Sequence, residues 1–275
     1  MMKCVARIFA LVLVLAVVSG TAAAVSYGTD PVFRPEDLFT ERDLVQVPDL
    51  TGAESVVVAD GQDYHITKEG TYVFSGTAAG MTVYVEAGAE DKVNIVLDGL
   101  SVSNTDFPCI YIITADKVFI TTVADSSLSV TGAFRKDGST KLDGVIFSKQ
   151  DTVLNGTAAL SVSSSAHGIV CKDDLKITGG TYTIQAGKKA LSANDSVRIA
   201  DGVFSLAAGT DGIHAENKDD DMLGYVYIGG GSFSIIAGDD GIAAASVLQI
   251  DGGVFIVSSK EGFNAPVVQV TGAAR

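Results

Sequence analysis

Three acids in the second half of the chain precede a glycine in related strings: Asp211 in DGIHA, Asp240 in DGIAA and Glu261 in EGFNA. Asp239 and Glu216 lie beside them. If the strings occupy equivalent places in successive structural repeats, their carboxylates stand one strand spacing apart, about 4.8 Å. Two unit charges at that separation repel by about 1 kcal/mol in water and up to about 3–4 kcal/mol at an effective dielectric of 20. A bound cation relieves that repulsion. The donors are all oxygen, and calcium takes six to eight oxygens in irregular geometry. Asp211, Glu216, Asp239, Asp240 and Glu261 are therefore the candidate calcium ligands. The alternative is a set of acids splayed into water, as runs such as Asp219–Asp221 usually are. The EF-hand spacing is absent, and no His/Cys constellation suits zinc.

Other groups extend this column. Lys189 sits one repeat before Asp211 and is the candidate catalytic base if the chain carries a proton-abstracting activity; the plainer reading is an ion pair with Asp211. His214, three residues after Asp211, is a candidate sugar contact or a surface histidine. Tyr225 and Tyr227 share a strand, with Arg198 on a neighbouring one. Together they form a candidate flat face for a polysaccharide, or an ordinary surface on which Arg198 stacks. Trp, the strongest stacking residue, is absent.

The elements that must position these groups are repeats. Anchored on Gly168, Ala190, Gly212, Gly241 and Gly262, five segments follow one another at 22, 22, 29 and 21 residues, the long one carrying an insertion near Lys218–Gly224. Ile169, Leu191, Ile213, Ile242 and Phe263 follow the anchors, and Tyr182, Phe204, Phe233 and Phe255 fill a later column. Period-2 alternation in three short runs, punctuated by Gly and Asp/Asn, spells three strands per repeat. The expected fold is all-β: a right-handed parallel β-helix of about 22 residues and three strands per coil, the hand following the usual chirality of parallel connections. The first half shares this grammar with looser spacing. The expected division is a signal peptide over 1–24, an irregular segment over 25–55 covering the first coil, and the β-helix over 56–275. That β-helix lacks a visible C-terminal cap, so its end would be open to a stacking partner.

At the N-terminus stand Lys3 and Arg7, the apolar run Ile8–Val18 and small residues ending in Ala22 and Ala24. These mark a cleaved secretory signal, with membrane contact only before cleavage and a secreted or cell-surface destination. Cys109 and Cys171 fall inside strand-like runs and are expected as buried free thiols. Asn155-Gly-Thr and Asn194-Asp-Ser form glycosylation sequons. With 19 Lys+Arg against 33 Asp+Glu, a net charge of −14 excludes nucleic acid as a partner, because phosphate neutralisation needs a basic surface.

The strings ITKEGTYVFSGT, VLDGLSVSN, ADKVFIT, GGTYTI, DGIHAEN, GGSFSI and DDGIAA resemble the exported bacterial and archaeal carbohydrate-binding domain-containing β-helix proteins, from about Asp60 onward. The resemblance implies a pectate-lyase-like fold and an acidic, plant-type polysaccharide ligand (polygalacturonate-like, or cellulose), often with calcium. The basic groove of the lyases is not visible in these residues. The expected function is polysaccharide binding, with a calcium-dependent polyuronate lyase and a structural surface protein or adhesin as the alternatives.

Overall fold

The computed structural model of the protein describes residues 32–271 and, before them, the strand segments Ala16–Val18 and Tyr27–Gly28. The signal-peptide cleavage site lies outside the described residues, as does most of the signal itself.

The repeat alignment translates into hydrogen-bonded register. His167–Cys171 pairs in parallel with Leu191–Ala193, which pairs with Ile213–Ala215, then Asp240–Ala244, then Glu261–Asn264. These strands end a nine-stranded sheet that begins at Tyr64–Ile66. The other two strands of each repeat, such as Asp174–Ile177 and Thr181–Ala186, belong to a single 18-stranded sheet.

This corrects the expected architecture. The fold is all-β with two large parallel sheets, not a right-handed parallel β-helix of three uniform strands per coil. The physical cause lies in the first half. Gly70–Ala79 and Lys92–Asn104 run as long continuous strands where later repeats have two short ones separated by a turn. Lys92–Asn104 therefore pairs with Lys117–Ala124 through its first part and with Ser126–Val130 through its last, fusing two ladders into one sheet.

Between the sheets lies a core of aliphatic columns and one aromatic stack. Tyr182, Phe204, Phe233 and Phe255 occupy successive strands in register, with ring centroids 5.4, 4.7 and 4.6 Å apart. The glycine turns before these rings are obligatory. Gly231 has φ 109°, and a Cβ there would stand 2.8 Å from the Gly202 carbonyl oxygen. Cys109 and Cys171 are buried free thiols, and burial pushes the Cys109 thiol up to about 12. Asn155 is buried and accepts a 2.6 Å hydrogen bond from the Thr121 hydroxyl, so its sequon offers no accessible amide.

The segment after residue 32, expected to cover the first repeat, reaches it at its end, where Glu54 and Ser55 pair with Tyr72 and Val73. It runs as a strap along the outer face of the 18-stranded sheet, from the last repeats back to Glu54–Val57, which pairs with Gly70–Ala79. Gln249 anchors one end: its Oε1 accepts from the Val32 and Phe33 amides, and its Nε2 donates to the Phe33 carbonyl. Asp43 anchors the middle. It is fully buried, accepts from Lys176 Nζ at 3.0 Å and lies 3.4 Å from Lys117 Nζ. Burial opposes its ionisation, but the Thr40 amide and the two lysines outweigh burial and hold the carboxyl below its usual range. Gln46 completes the strap, accepting from the Gly156 amide and donating to the Thr178 carbonyl. At the C-terminal end, Tyr27–Gly28 pairs with Val268–Gln269, so part of the backbone edge expected to be open carries a strand of the same chain; Ala16–Val18, which pairs with Val257–Ser259, lies within the residues read as signal and leaves with it on cleavage.

Two truncations test this account by urea denaturation. Phe233→Ala, emptying the middle of the ring stack, is expected to cost about 3–5 kcal/mol. Asp43→Ala, which leaves the buried Lys176 without its carboxylate, is expected to cost a similar 3–5 kcal/mol or so. A loss below about 1 kcal/mol in the second case would mean that the strap is not clamped at Asp43.

Candidate functional site

The outer face of the nine-stranded sheet carries the charged column. In register, His167, Lys189, Asp211, Asp240 and Glu261 succeed one another along the sheet, because Ile169, Leu191, Ile213, Ile242 and Phe263 pair in sequence on its inner side. Asp143, which precedes Gly144 as His167 precedes Gly168, is one residue out of register with this column: Gly144, not Asp143, pairs with His167. Its carboxylate still comes within 3.8 Å of His167 Nε2.

Asp211, Asp239 and Asp240 come together: each offers a carboxylate oxygen, and these oxygens lie within 4.8 Å of one another. Asp211 and Asp240 are buried and Asp239 is exposed at the mouth. The Asp240 amide points toward Asp211 Oδ1 at 3.4 Å, and Asn264 Nδ2 donates to Asp240 Oδ2 at 3.1 Å. Asp240 Oδ1 is buried with no hydrogen-bond partner among the described residues. An unsatisfied buried carboxylate oxygen is costly unless a proton or a cation meets it. Burial, with the charges of Asp211, Asp239 and Glu261, pushes the Asp240 carboxyl up, against the Asn264 hydrogen bond.

Asp211 goes the other way. Burial would raise it, but His214 and Lys189 outweigh burial and hold it below its usual range. His214 Nδ1 lies 2.8 Å from Asp211 Oδ2, and Lys189 Nζ lies 3.7 Å from the same oxygen. Two expected ligands stand aside. Glu216 faces His214 Nε2 at 3.7 Å on the side away from the triad. Glu261 pairs with Asp240 through the backbone, and its carboxylate is not one of the clustered three.

Beside the triad lies a cleft of about 150 Å³ whose lining includes His167, Lys172, Lys189, Asn194, His214 and Glu216. Burial lowers Lys189 despite Asp211 and Glu216, and burial pushes His167 down to about 4 despite Asp143, so His167 is neutral near pH 7. Ser192 and Asn194 were missed as lining residues. The signal was present, since outward positions recur every second residue along each strand.

The expected saccharide face at Tyr225, Tyr227 and Arg198 is corrected, because the strap covers it. Tyr227 is 1% exposed and Tyr225 6%, both packed against Leu38, and Phe33 stacks on Tyr225 with centroids 4.3 Å apart. Arg198 is engaged with Asp174 at 2.5 Å. Alternation correctly points these side chains outward, but it carries no information on a distant segment folding back over them. His214 does line the open cleft.

A family model described as "Carbohydrate-binding domain-containing protein" matches residues 60–273. A relative of that same description from Acetivibrio thermocellus is 35% identical over 130 residues, and the match covers 46% of each chain, so less than half of the relative's length is spanned. A solved structure of a polysaccharide lyase-like protein from C. thermocellum, a gadolinium derivative, superposes with a TM-score of 0.74 at 32% identity, covering 80% of this chain and 98% of that one.

The triad predicts its own pH behaviour without any ligand. A carboxyl raised in the folded state resists an ionisation that the unfolded chain undergoes freely. Asp240 therefore subtracts stability as the pH rises from the carboxylate range to neutrality. Asp240→Asn is expected to melt higher than the parent near neutral pH in chelator-treated buffer, with the difference vanishing in acid. A lower melting temperature near neutrality would show that Asp240 is not electrostatically strained.

Proposed function

We propose, from the premise that the chain belongs to the carbohydrate-binding domain-containing protein family, that it binds acidic polysaccharide at the outer face of the nine-stranded sheet. Calcium at Asp211, Asp239 and Asp240 would bridge protein and polymer. The observation that carries this reading is the buried, unpartnered Oδ1 of Asp240 within a cluster of three carboxylates. The donor set is hard and anionic, which fits calcium. Only part of a six-to-eight-oxygen shell comes from these side chains, leaving positions for water and for ligand oxygens. When bound, calcium supplies positive charge to a uronate carboxylate. Lys172 and Lys189 in the adjoining cleft would hold a second anionic group.

The secretory signal read from the sequence goes with a secreted or surface-attached binder of plant-type polymer such as polygalacturonate. A second reading, a calcium-dependent polyuronate lyase, is favoured by one observation. Lys189 is half-buried, its ammonium destabilised by burial, and it stands 3.7 Å from Asp211 at the cleft. A base there would take the proton beside the uronate carboxylate while calcium neutralised that carboxylate.

Calcium in the millimolar range is expected to raise the melting temperature of the parent, and the shift should disappear in Asp211→Asn/Asp239→Asn. Co-sedimentation with polygalacturonate should require calcium and fall at least about tenfold in that variant. A parent whose melting curve ignores calcium, or whose retention by polygalacturonate survives chelation, would overturn the bridging role. Ultraviolet-absorbing unsaturated product, lost in Lys189→Met, would replace the binding reading with the lyase.

A further inference from the structure

A second face of the molecule is set apart by its chemistry. Seven successive strands of the 18-stranded sheet, from the Ser101–Ser103 end of Lys92–Asn104 to Val254–Ser259, present their alternate residues away from the core. The central outward column starts with Ser101, Ser127 and Ser161 and ends with Ser205, Ser234 and Ile256. None of the outward positions on these seven strands carries a charge, although 19% of the chain is Asp, Glu, Lys or Arg. Its last strands are apolar: Val203 is 52% exposed, Ile236 63%, Val254 48% and Ile256 71%, on three adjacent strands. The strap does not reach this face, because its clamps at Asp43, Gln46 and Gln249 bind the other strands of the same sheet.

We infer that this uncharged face is an interface with a second copy of the same chain, the two sheets packing face to face about a two-fold axis. Charge selects the partner. Each copy carries −14, so approach through an acid-bearing face sets like charges within the screening length of about 8–10 Å. The uncharged face lets the copies meet with their carboxylates turned outward. Shape agrees: side chains here are small or β-branched and in register, and two such layers interdigitate with the sheets about 10 Å apart.

Area sets the strength. Strands about 4.8 Å apart and about 20 Å long give a face of roughly 600 Å² per copy. That is somewhat less than the 800 Å² or so per partner of a standard stable interface, so the dimer is a weak one. A glycan partner fits less well, because no aromatic ring is exposed on this face to stack against a sugar.

Sedimentation velocity of the purified protein, from about 1 to 200 µM, tests the inference, with the affinity range that of a small interface. The expected result is a concentration-dependent monomer–dimer equilibrium. Ile236→Lys/Ile256→Lys, which puts a charge at each centre of the apolar patch, should weaken it by at least about tenfold. Ser234→Glu, at a polar position directly across from Ile256 on the same face, should do so independently and guards against a folding defect in the first variant. Both variants should keep the parental circular dichroism and calcium response, which separates this interface from the carboxylate site. A parent that stays monomeric throughout, or a dimer that survives both folded variants, would overturn the inference. So would a monomer that pellets with uncharged insoluble polysaccharide through this face.

Discussion

Parallel, in-register stacking of each repeat on the next is the constraint on which everything else rests. A strand such as Leu191–Ala193 is three residues long and satisfies its backbone only through Cys171-side and Ile213-side neighbours. No repeat can bury its apolar columns alone, since about 1–2 kcal/mol of backbone entropy per residue exceeds what six or so buried side chains return. Stacking therefore fixes position along the sheet, and position decides which outward side chains become neighbours.

The charged column follows from that rule. Stacking brings Lys189, Asp211 and Asp240 onto adjacent strands and leaves them little freedom to separate. Their environments then diverge: His214 and Lys189 stabilise the ionised form of Asp211, while Asp240 is destabilised by burial and by its acidic neighbours. A single scaffold thus holds one settled carboxylate beside one strained carboxylate. Carboxyl groups pushed apart in this way are a recurrent mark of functional sites. The same register that aligns acids on one sheet aligns uncharged residues on seven strands of the other, so the two outer surfaces have opposite chemical character.

The strap shows what stacking alone does not specify. Lys117, Lys176, Arg198 and Gln249 point outward from different repeats, and each would be an ordinary surface group on an isolated ladder. Asp43, Gln46 and Phe33 convert that surface into a buried seam. The tyrosines between them become packing residues rather than a platform for ligand.

The repeat register, the ring stack at Tyr182–Phe255, the buried thiols and the meeting of Asp211 with Asp240 were legible in the sequence. Each depends on a periodicity of two along a strand and of about 22 between strands, which local patterning records directly. Three things were decided only by the tertiary structure. The ladders fuse into two sheets because Lys92–Asn104 remains extended through a site where later repeats turn, a choice made by its neighbours on both sides. Glu216 and Glu261 stay out of the carboxylate cluster because side-chain direction at a strand end depends on the groups around it. Tyr225 and Tyr227 are hidden because contacts across about 190 residues, from Phe33 to Tyr225, leave no periodic trace. Repetition writes a structure into the sequence only where the same contact recurs; a contact made once has to be found in three dimensions.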